Sequence, residues 1–268
     1  MHLKRWITGI VAVPLIFWLV HAGGLWLFAL VIGAVSIMSL WEYFRILFKE
    51  HDTGTTLLAA LAYVAALGLS FAAYHGNLRW VMTIIALDLL LAACISLPLF
   101  KTDARLPYLV VKQVFGIVYI PLFLAFLVFL RHGETGEQWV FLVLCLVAAG
   151  DVGAFYVGSY FGRHKLCPAV SPKKTIEGSL GGLAANLVVG ICFKFFFLPE
   201  LPVSACVILS LIVGAAGQIG DLFESEFKRA AGIKDSGHLL PGHGGFLDRI
   251  DALLFAAPLA YLFRGTIF

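Results

Sequence analysis

The stretch Lys234 to Asp251, KDSGHLLPGHGGFLDRID, holds three aspartates, two histidines, a lysine, an arginine and four glycines between two apolar runs. Asp248 and Asp251 stand at i and i+3 where a new helix is expected to begin, with Arg249 between them and Lys228 and Lys234 upstream. Carboxylates alone would suit a hard cation, and lysines with arginine alone would suit phosphate. Together they point to a metal-bound phosphoryl substrate, because Mg²⁺ is commonly held by one or two carboxylates plus substrate phosphates. Pro241, Gly242, His243, Gly244 and Gly245 resist a helix, since proline lacks a donor and glycines favour open conformations. Such a turn bares backbone N–H groups to which an anion can approach, although a lone glycine cluster is more often only a turn.

Two further groups share this chemistry. Asp221, Ser225 and Lys228 fall at i, i+4 and i+7 on one helical face, with Glu224 and Arg229 beside them. In SPKKTIEG, Ser171 reads as an N-cap with Pro172 at the first helical position, which crowds Lys173, Lys174 and Thr175 at a helix N-terminus. Cations there oppose the helix dipole, a conflict that an incoming anion such as a triphosphate resolves. The plain alternative is a lysine pair touching lipid headgroups.

These groups must be positioned by membrane helices. The chain is 61% hydrophobic and 13% charged, against about a quarter charged in soluble proteins. An all-α integral membrane protein follows, a polytopic bundle of about nine transmembrane helices with a cytoplasm-facing polar groove. Apolar runs long enough for a bilayer of about 30 Å lie near 6–21, 25–44, 55–74, 80–100, 107–130, 138–161, 178–198, 202–223 and 250–264. The first is read as a retained anchor rather than a cleaved signal.

Alternating the loops puts Arg45, Lys101, Arg105, Arg163, Lys173, Lys174, Lys228, Lys234 and Arg249, among others, on one side. Only Arg79, Arg131 and Arg264 fall on the other, so the N-terminus and both long polar loops, about 162–177 and 224–249, are expected in the cytoplasm. The expected organisation is 1–135 as N-terminal spans and 136–268 as the catalytic region. The net charge of +3, without any block of like charge, excludes a nucleic-acid arm, and five scattered cysteines indicate neither a disulfide framework nor a zinc site.

Ionisable residues inside spans cost about 2.5–3.5 kcal/mol on insertion scales, so each needs a reason. Asp88, Lys112, Asp151 and Asp221 are such residues; Glu42 and Lys194 are read as reaching an interface or pairing quietly. Asp151 adjoins a stripe of Gly150, Ala154, Gly158 and Gly162 suited to close helix contact. It serves either as a structural partner of a lysine such as Lys112 or as the acidic wall of a polar cavity.

The run from Ser225 to Asp251, with SPKKTIEGSLGG and DVGAFYVGSYFGRHKL, resembles the signature of the phosphatidate cytidylyltransferases, also called CDP-diacylglycerol synthases. The similarity covers most of the chain from about 147 onward; the first half shares only its apolar spans. The resemblance implies an enzyme of phospholipid synthesis that joins CTP to phosphatidic acid in the bilayer with Mg²⁺, releasing pyrophosphate and making CDP-diacylglycerol. It carries the metal aspartates onto Asp221 and Asp248 and implies a homodimer.

On this reading Lys228, Arg249 and His243 complete the candidate catalytic set. Asp251 and Glu224 are candidate helpers for a second cation. Ser171, Lys173, Lys174, Thr175, Ser225, Arg229, Lys234, Gly244 and Gly245 are candidate substrate-binding residues. Which cation meets which phosphate stays open, and His243 is either a turn residue or a donor to the leaving pyrophosphate. A compact chain of this kind fits a bacterial inner membrane. Two rivals remain at this stage: a CTP-dependent lipid alcohol kinase, which would transfer the γ-phosphate, and a membrane transporter, which would need charge at the bilayer midplane.

Overall fold

A computed structural model describes residues 2–48, 52–237 and 244–267, with side chains from Ala12 onward. Within those residues the chain is helical apart from one small hairpin. The helices are α1 His2–His21, α2 Gly24–Leu47, α3 Thr53–Tyr74, α4 Leu78–Leu99, α5 Leu106–Arg131, α6 Gly136–Phe161, α7 Ile176–Phe196, α8 Val203–Ala230 and α9 Leu247–Ile267. Every helix from α2 to α9 is long and apolar enough to cross a bilayer, and α1 contributes the shorter apolar stretch Ala12–His21. Backbone groups in hydrocarbon must be satisfied inside their own segment, and a helix does so. The chain is thus an all-α polytopic membrane protein, and its helices overlie the runs read from the sequence. Helix α8 continues seven residues past the apolar run that ends at 223 and carries Glu224, Ser225, Lys228 and Arg229 on regular helix, as their i, i+4 and i+7 spacing leads one to expect.

The chain divides into two compact units, residues 1–129 with 235–247, and residues 130–234 with 248–268. The segment Asp235–Leu247 therefore groups with the N-terminal helices, although it lies within the sequence region 136–268.

In the first unit α3 packs against α2, α4 and α5. Leu40, Tyr43 and Phe44 of α2 and Leu58, Ala62, Ala65 and Leu69 of α3 are buried there. Helix α3 starts at a capping box in which Asp52 accepts from the Thr55 N–H and Thr55 Oγ1 accepts from the Asp52 N–H. Helix α5 contains a π-helical turn at Val118–Leu122, where Pro121 withholds its donor. The intramembrane Asp88 is buried and accepts from Gln113 Nε2 at 2.9 Å. Glu42, fully buried on α2, accepts from the backbone N–H groups of Phe246 and Leu247.

In the second unit α6, α7 and α8 pack together, with the tightest approach between α6 and α7. Gly153 and Gly181 make that approach possible: a Cβ on Gly153 would lie 2.6 Å from the Ala185 Cβ, and one on Gly181 would enter the Val157 side chain. The expected small-residue stripe of α6 is at this contact, since Gly158 faces Gly178 and Thr175. Phe223 of α8 meets Phe255 of α9 edge to face at 5.6 Å. At one end of this unit Arg131 pairs with Glu137, and Arg264 Nη1 donates to the Leu130 carbonyl at 2.7 Å. Two of the three cations assigned to the sparse side of the membrane thus share one end. Lys194 donates to the Pro199 carbonyl at 3.1 Å, the quiet pairing expected of it.

The sequence SPKKT is not a helix start. Ser171–Thr175 is a strand, β2, antiparallel to β1 at Lys165–Cys167, with Lys165 opposite Thr175 and Cys167 opposite Ser171. The N-cap is Thr175, whose Oγ1 accepts from the Gly178 N–H at 3.1 Å, so α7 begins at Ile176 rather than Pro172. Ser171 precedes a proline, which drives it toward the extended region, and pairing with β1 holds it there.

Candidate active site

Helix α8 brings the first carboxylate. Gly220 lets α8 lie against α9, since a Cβ there would come 2.5 Å from the Asp251 carbonyl and 3.1 Å from the Phe255 ring. Asp221, the next residue, is consequently within electrostatic reach of Asp251. Asp221 Oδ2 is 2.5 Å from Lys174 Nζ on β2, so the hairpin delivers its lysine to the helix. Alternation along the strand separates the two lysines: Lys174 is half-buried in this pair and Lys173 is exposed. The hairpin is tied in place by Glu177, which accepts from the N–H groups of Arg163 and His164 at 3.0 and 3.1 Å. At its turn, Arg229 Nε donates to the Val170 carbonyl at 3.2 Å.

Two turns along α8 sits the second pair. Lys228 Nζ donates to Asp248 Oδ1 on α9 at 2.7 Å and is also ion-paired with Glu224, i and i+4 on its own helix. The side chains of Glu224, Asp248 and Lys228 are 1%, 8% and 12% exposed, so this triad is shielded and its charges are felt strongly. Glu224 is in turn within electrostatic reach of Asp248 and Asp251.

Asp151 completes the cluster from α6. It is exposed and lies within electrostatic reach of Asp221, Lys174 and Arg249. Lys174 and Arg249 are cations within its electrostatic reach, which suits the wall of a polar site, one of its two sequence readings.

Five carboxylates, Asp151, Asp221, Glu224, Asp248 and Asp251, thus converge with three cations, Lys174, Lys228 and Arg249. Like charges gathered beside a membrane are costly unless a ligand or cation balances them. All the anionic donors are oxygens, which suits a hard divalent cation. Among the described residues no group of three or more His, Cys, Asp or Glu could hold a metal by itself. The oxygen donor set fits a hard divalent cation such as Mg²⁺.

The remaining candidates fall elsewhere. Ser225 is half-buried on α8, Lys234 is exposed, and Thr175 is spent as a helix cap. Arg229 also donates to the Ile233 carbonyl at 3.3 Å, so its guanidinium braces backbone on two sides. Gly244 has φ 81°, which only glycine adopts comfortably. Gly245 is buried against Ser236 and Glu42 in the first unit. His243 lies outside the described residues.

Sequence reasoning overlooked a polar clasp between α7 and α8 and a buried amide on α7. Ser179 of α7 donates its hydroxyl to the Gln218 side chain, and Gln218 Nε2 donates back to the Ser179 carbonyl at 3.0 Å. Asn186 is buried against Gly150 and Gly214. Their signal was an amide side chain within an otherwise apolar run, which deserves the same question as a charge.

Comparison with known proteins gives this cluster a context. Residues 3–267 match the model of the cytidylyltransferase family. The chain is 43% identical over 136 residues to a phosphatidate cytidylyltransferase of Staphylococcus haemolyticus, covering 51% of this chain and 52% of the relative. It is 42% identical over 149 residues to a phosphatidate cytidylyltransferase of Mycobacterium bovis, covering 56% and 48% respectively. The chain spans about half the length of the curated relatives it matches. With the match running through nearly every span and both charged loops, the chain belongs to the cytidylyltransferase family.

Proposed function

We propose that this protein transfers the cytidylyl group of CTP to phosphatidic acid, giving CDP-diacylglycerol and pyrophosphate. The observation that carries the reading is the convergence of Lys174, Lys228 and Arg249 with five carboxylates at α6, α8, α9 and the hairpin. Family membership supports it, as do the relatives, which are phosphatidate cytidylyltransferases.

The phosphate of phosphatidate is already an anion and needs no strong general base. One of its oxygens forms a bond to the α-phosphorus of CTP as the bond from that phosphorus to the bridging oxygen of the leaving pyrophosphate breaks. Catalysis is then chiefly alignment and neutralisation of charge. Lys174 and Lys228, already held by Asp221 and by Asp248 with Glu224, supply fixed positive charge beside the triphosphate. Arg249 supplies a planar, multidentate donor for phosphate oxygens. Mg²⁺ on Asp221 and Asp248 would neutralise phosphate oxygens and orient the triphosphate. The orientation that suits this chemistry places the hairpin and the inner end of α8 at the cytoplasmic face, where CTP arrives and the lipid phosphate lies.

The test uses purified protein in detergent with Mg²⁺, phosphatidate and CTP labelled at either the α- or the γ-phosphorus. Lipid labelled from the α-position is expected. Label arriving only from the γ-position would replace this reading with a lipid kinase.

A further inference from the structure

Among the described residues Glu42 is the deepest carboxylate of the first unit, with none of its surface exposed. Burying such a group is costly unless hydrogen bonds satisfy it. Its partners come from a segment some two hundred residues later in the chain. Glu42 accepts from Ser236 Oγ at 3.1 Å, from the Phe246 N–H at 3.0 Å and from the Leu247 N–H at 2.9 Å. It therefore grips both ends of the glycine-rich loop, all within one compact unit.

The same carboxylate explains why two positions are glycine, one of which, Gly245, was a candidate for binding substrate. A Cβ on Gly237 would collide with Glu42 Oε1, and a Cβ on Gly245 would collide with Glu42 Oε2. The amides of Phe246 and Leu247, just past these glycines, do receive an anion, but the anion belongs to the protein.

Leu247 opens α9, and the first N–H groups of a helix have no partner within it. Glu42 supplies that partner at the residue immediately before Asp248. We propose that Glu42 is a positioning residue for the nucleotidyl-transfer site: it accepts from the two amides that follow the glycine-rich stretch and fixes the backbone from which Asp248 projects. The consequence for turnover rests on the function proposed above; the structural anchoring does not.

The experiment measures hydrogen exchange at the Phe246 and Leu247 amides and steady-state kinetics, on the full chain in detergent. Both amides are expected to exchange slowly in the unaltered protein, and fast exchange there would overturn the anchor without any variant. Glu42→Gln keeps the shape of the side chain but turns a donor toward donors. It should speed exchange at 246–247 by about tenfold or more and lower kcat by about 10- to 100-fold, as small misplacements at a reacting centre do. KM for CTP should change less than about threefold, because Glu42 touches no phosphate.

Gly237→Ala, whose methyl would meet only Glu42, should resemble Glu42→Gln, while Glu42→Ala combined with Gly237→Ala should be no worse than the poorer single variant, since the new methyl enters space the carboxylate has left. Additive losses, or a Glu42→Gln protein with unchanged exchange and turnover, would sink the proposal. Were the unaltered protein inactive with CTP and phosphatidate, the functional reading would fall, while the exchange measurement would still decide the anchor.

Discussion

Lys228 of α8 donates to Asp248 of α9 at 2.7 Å, and the same ammonium is held from behind by Glu224. One cation thus ties the end of the long helix to the first turn of the next. Asp248 holds Lys228, and on the proposed function it has a second task, presenting oxygen toward a metal-bound phosphate.

Asp248→Asn separates those tasks. The amide oxygen can still accept from Lys228, and Glu224 still neutralises it, so the fold should persist with an unfolding midpoint within a few degrees of the original. Activity should drop by about 10²-fold or more, because a neutral oxygen gives weak support to a cation in the transition state. Thermal unfolding in detergent and initial rates at saturating CTP check both parts. Near-normal turnover would remove Asp248 from the metal assignment.

The two adjacent lysines of β2 make a sharper comparison. Lys174 meets Asp221 at 2.5 Å, while Lys173 on the opposite strand face is exposed. Lys174→Ala should lower kcat/KM by about 10²-fold, and Lys173→Ala by less than about fivefold, as expected of a screened surface charge. Equal losses would mean that both lysines share the triphosphate and that strand alternation does not decide between them.

Much of this site is legible in the sequence because the bilayer makes charge conspicuous. Asp151, Asp221 and Lys228 stand out against apolar runs, and the structure brings all three into one cluster. The helix start after SPKK was misplaced for a local reason. Serine followed by proline satisfies a helix N-terminus on paper, yet the same pair is equally content in an extended strand, and only pairing with Lys165–Cys167 decides. Thr175, four residues on, carries an equally good capping hydroxyl. The partner of Glu42 was illegible for a different reason: its donors are backbone amides of Phe246 and Leu247, which have no side-chain signature. Arg229 likewise spends its charge on the carbonyls of Val170 and Ile233.

The contact of α6 with α7 gives a prediction about stability rather than chemistry. A Cβ on Gly181 would overlap the Val157 side chain, whereas one on Gly265 would meet nothing within 4 Å. Gly181→Val should therefore force the helices apart and destabilise the protein by about 1–3 kcal/mol or more. Gly265→Ala should be neutral or slightly stabilising, because alanine favours the helix. Thermal unfolding in detergent, read for both variants beside the parent, decides the matter. A Gly181→Val protein as stable as its parent would mean that the helices do not approach this closely in the membrane.

The cation dependence tests the charge balance of the site. On the proposed function a triphosphate adds negative charge where, among the described residues, five carboxylates meet three cations, so a divalent cation is expected to enter with the nucleotide. Stripping divalent ions with a chelator should abolish turnover, and Mg²⁺ should restore it. Asp221→Asn should leave the maximal rate reduced and raise the Mg²⁺ concentration needed for half-activation by about tenfold or more, since Mg²⁺ bound through one or two carboxylates depends heavily on each. The same substitution frees Lys174 from its ion pair, which predicts an opposite change in nucleotide affinity: CTP binding measured without metal should tighten, because the ammonium no longer has a carboxylate to leave. An Asp221→Asn protein with unchanged Mg²⁺ activation would assign the metal to Asp248, Asp251 or Glu224 and leave Asp221 only the task of holding Lys174.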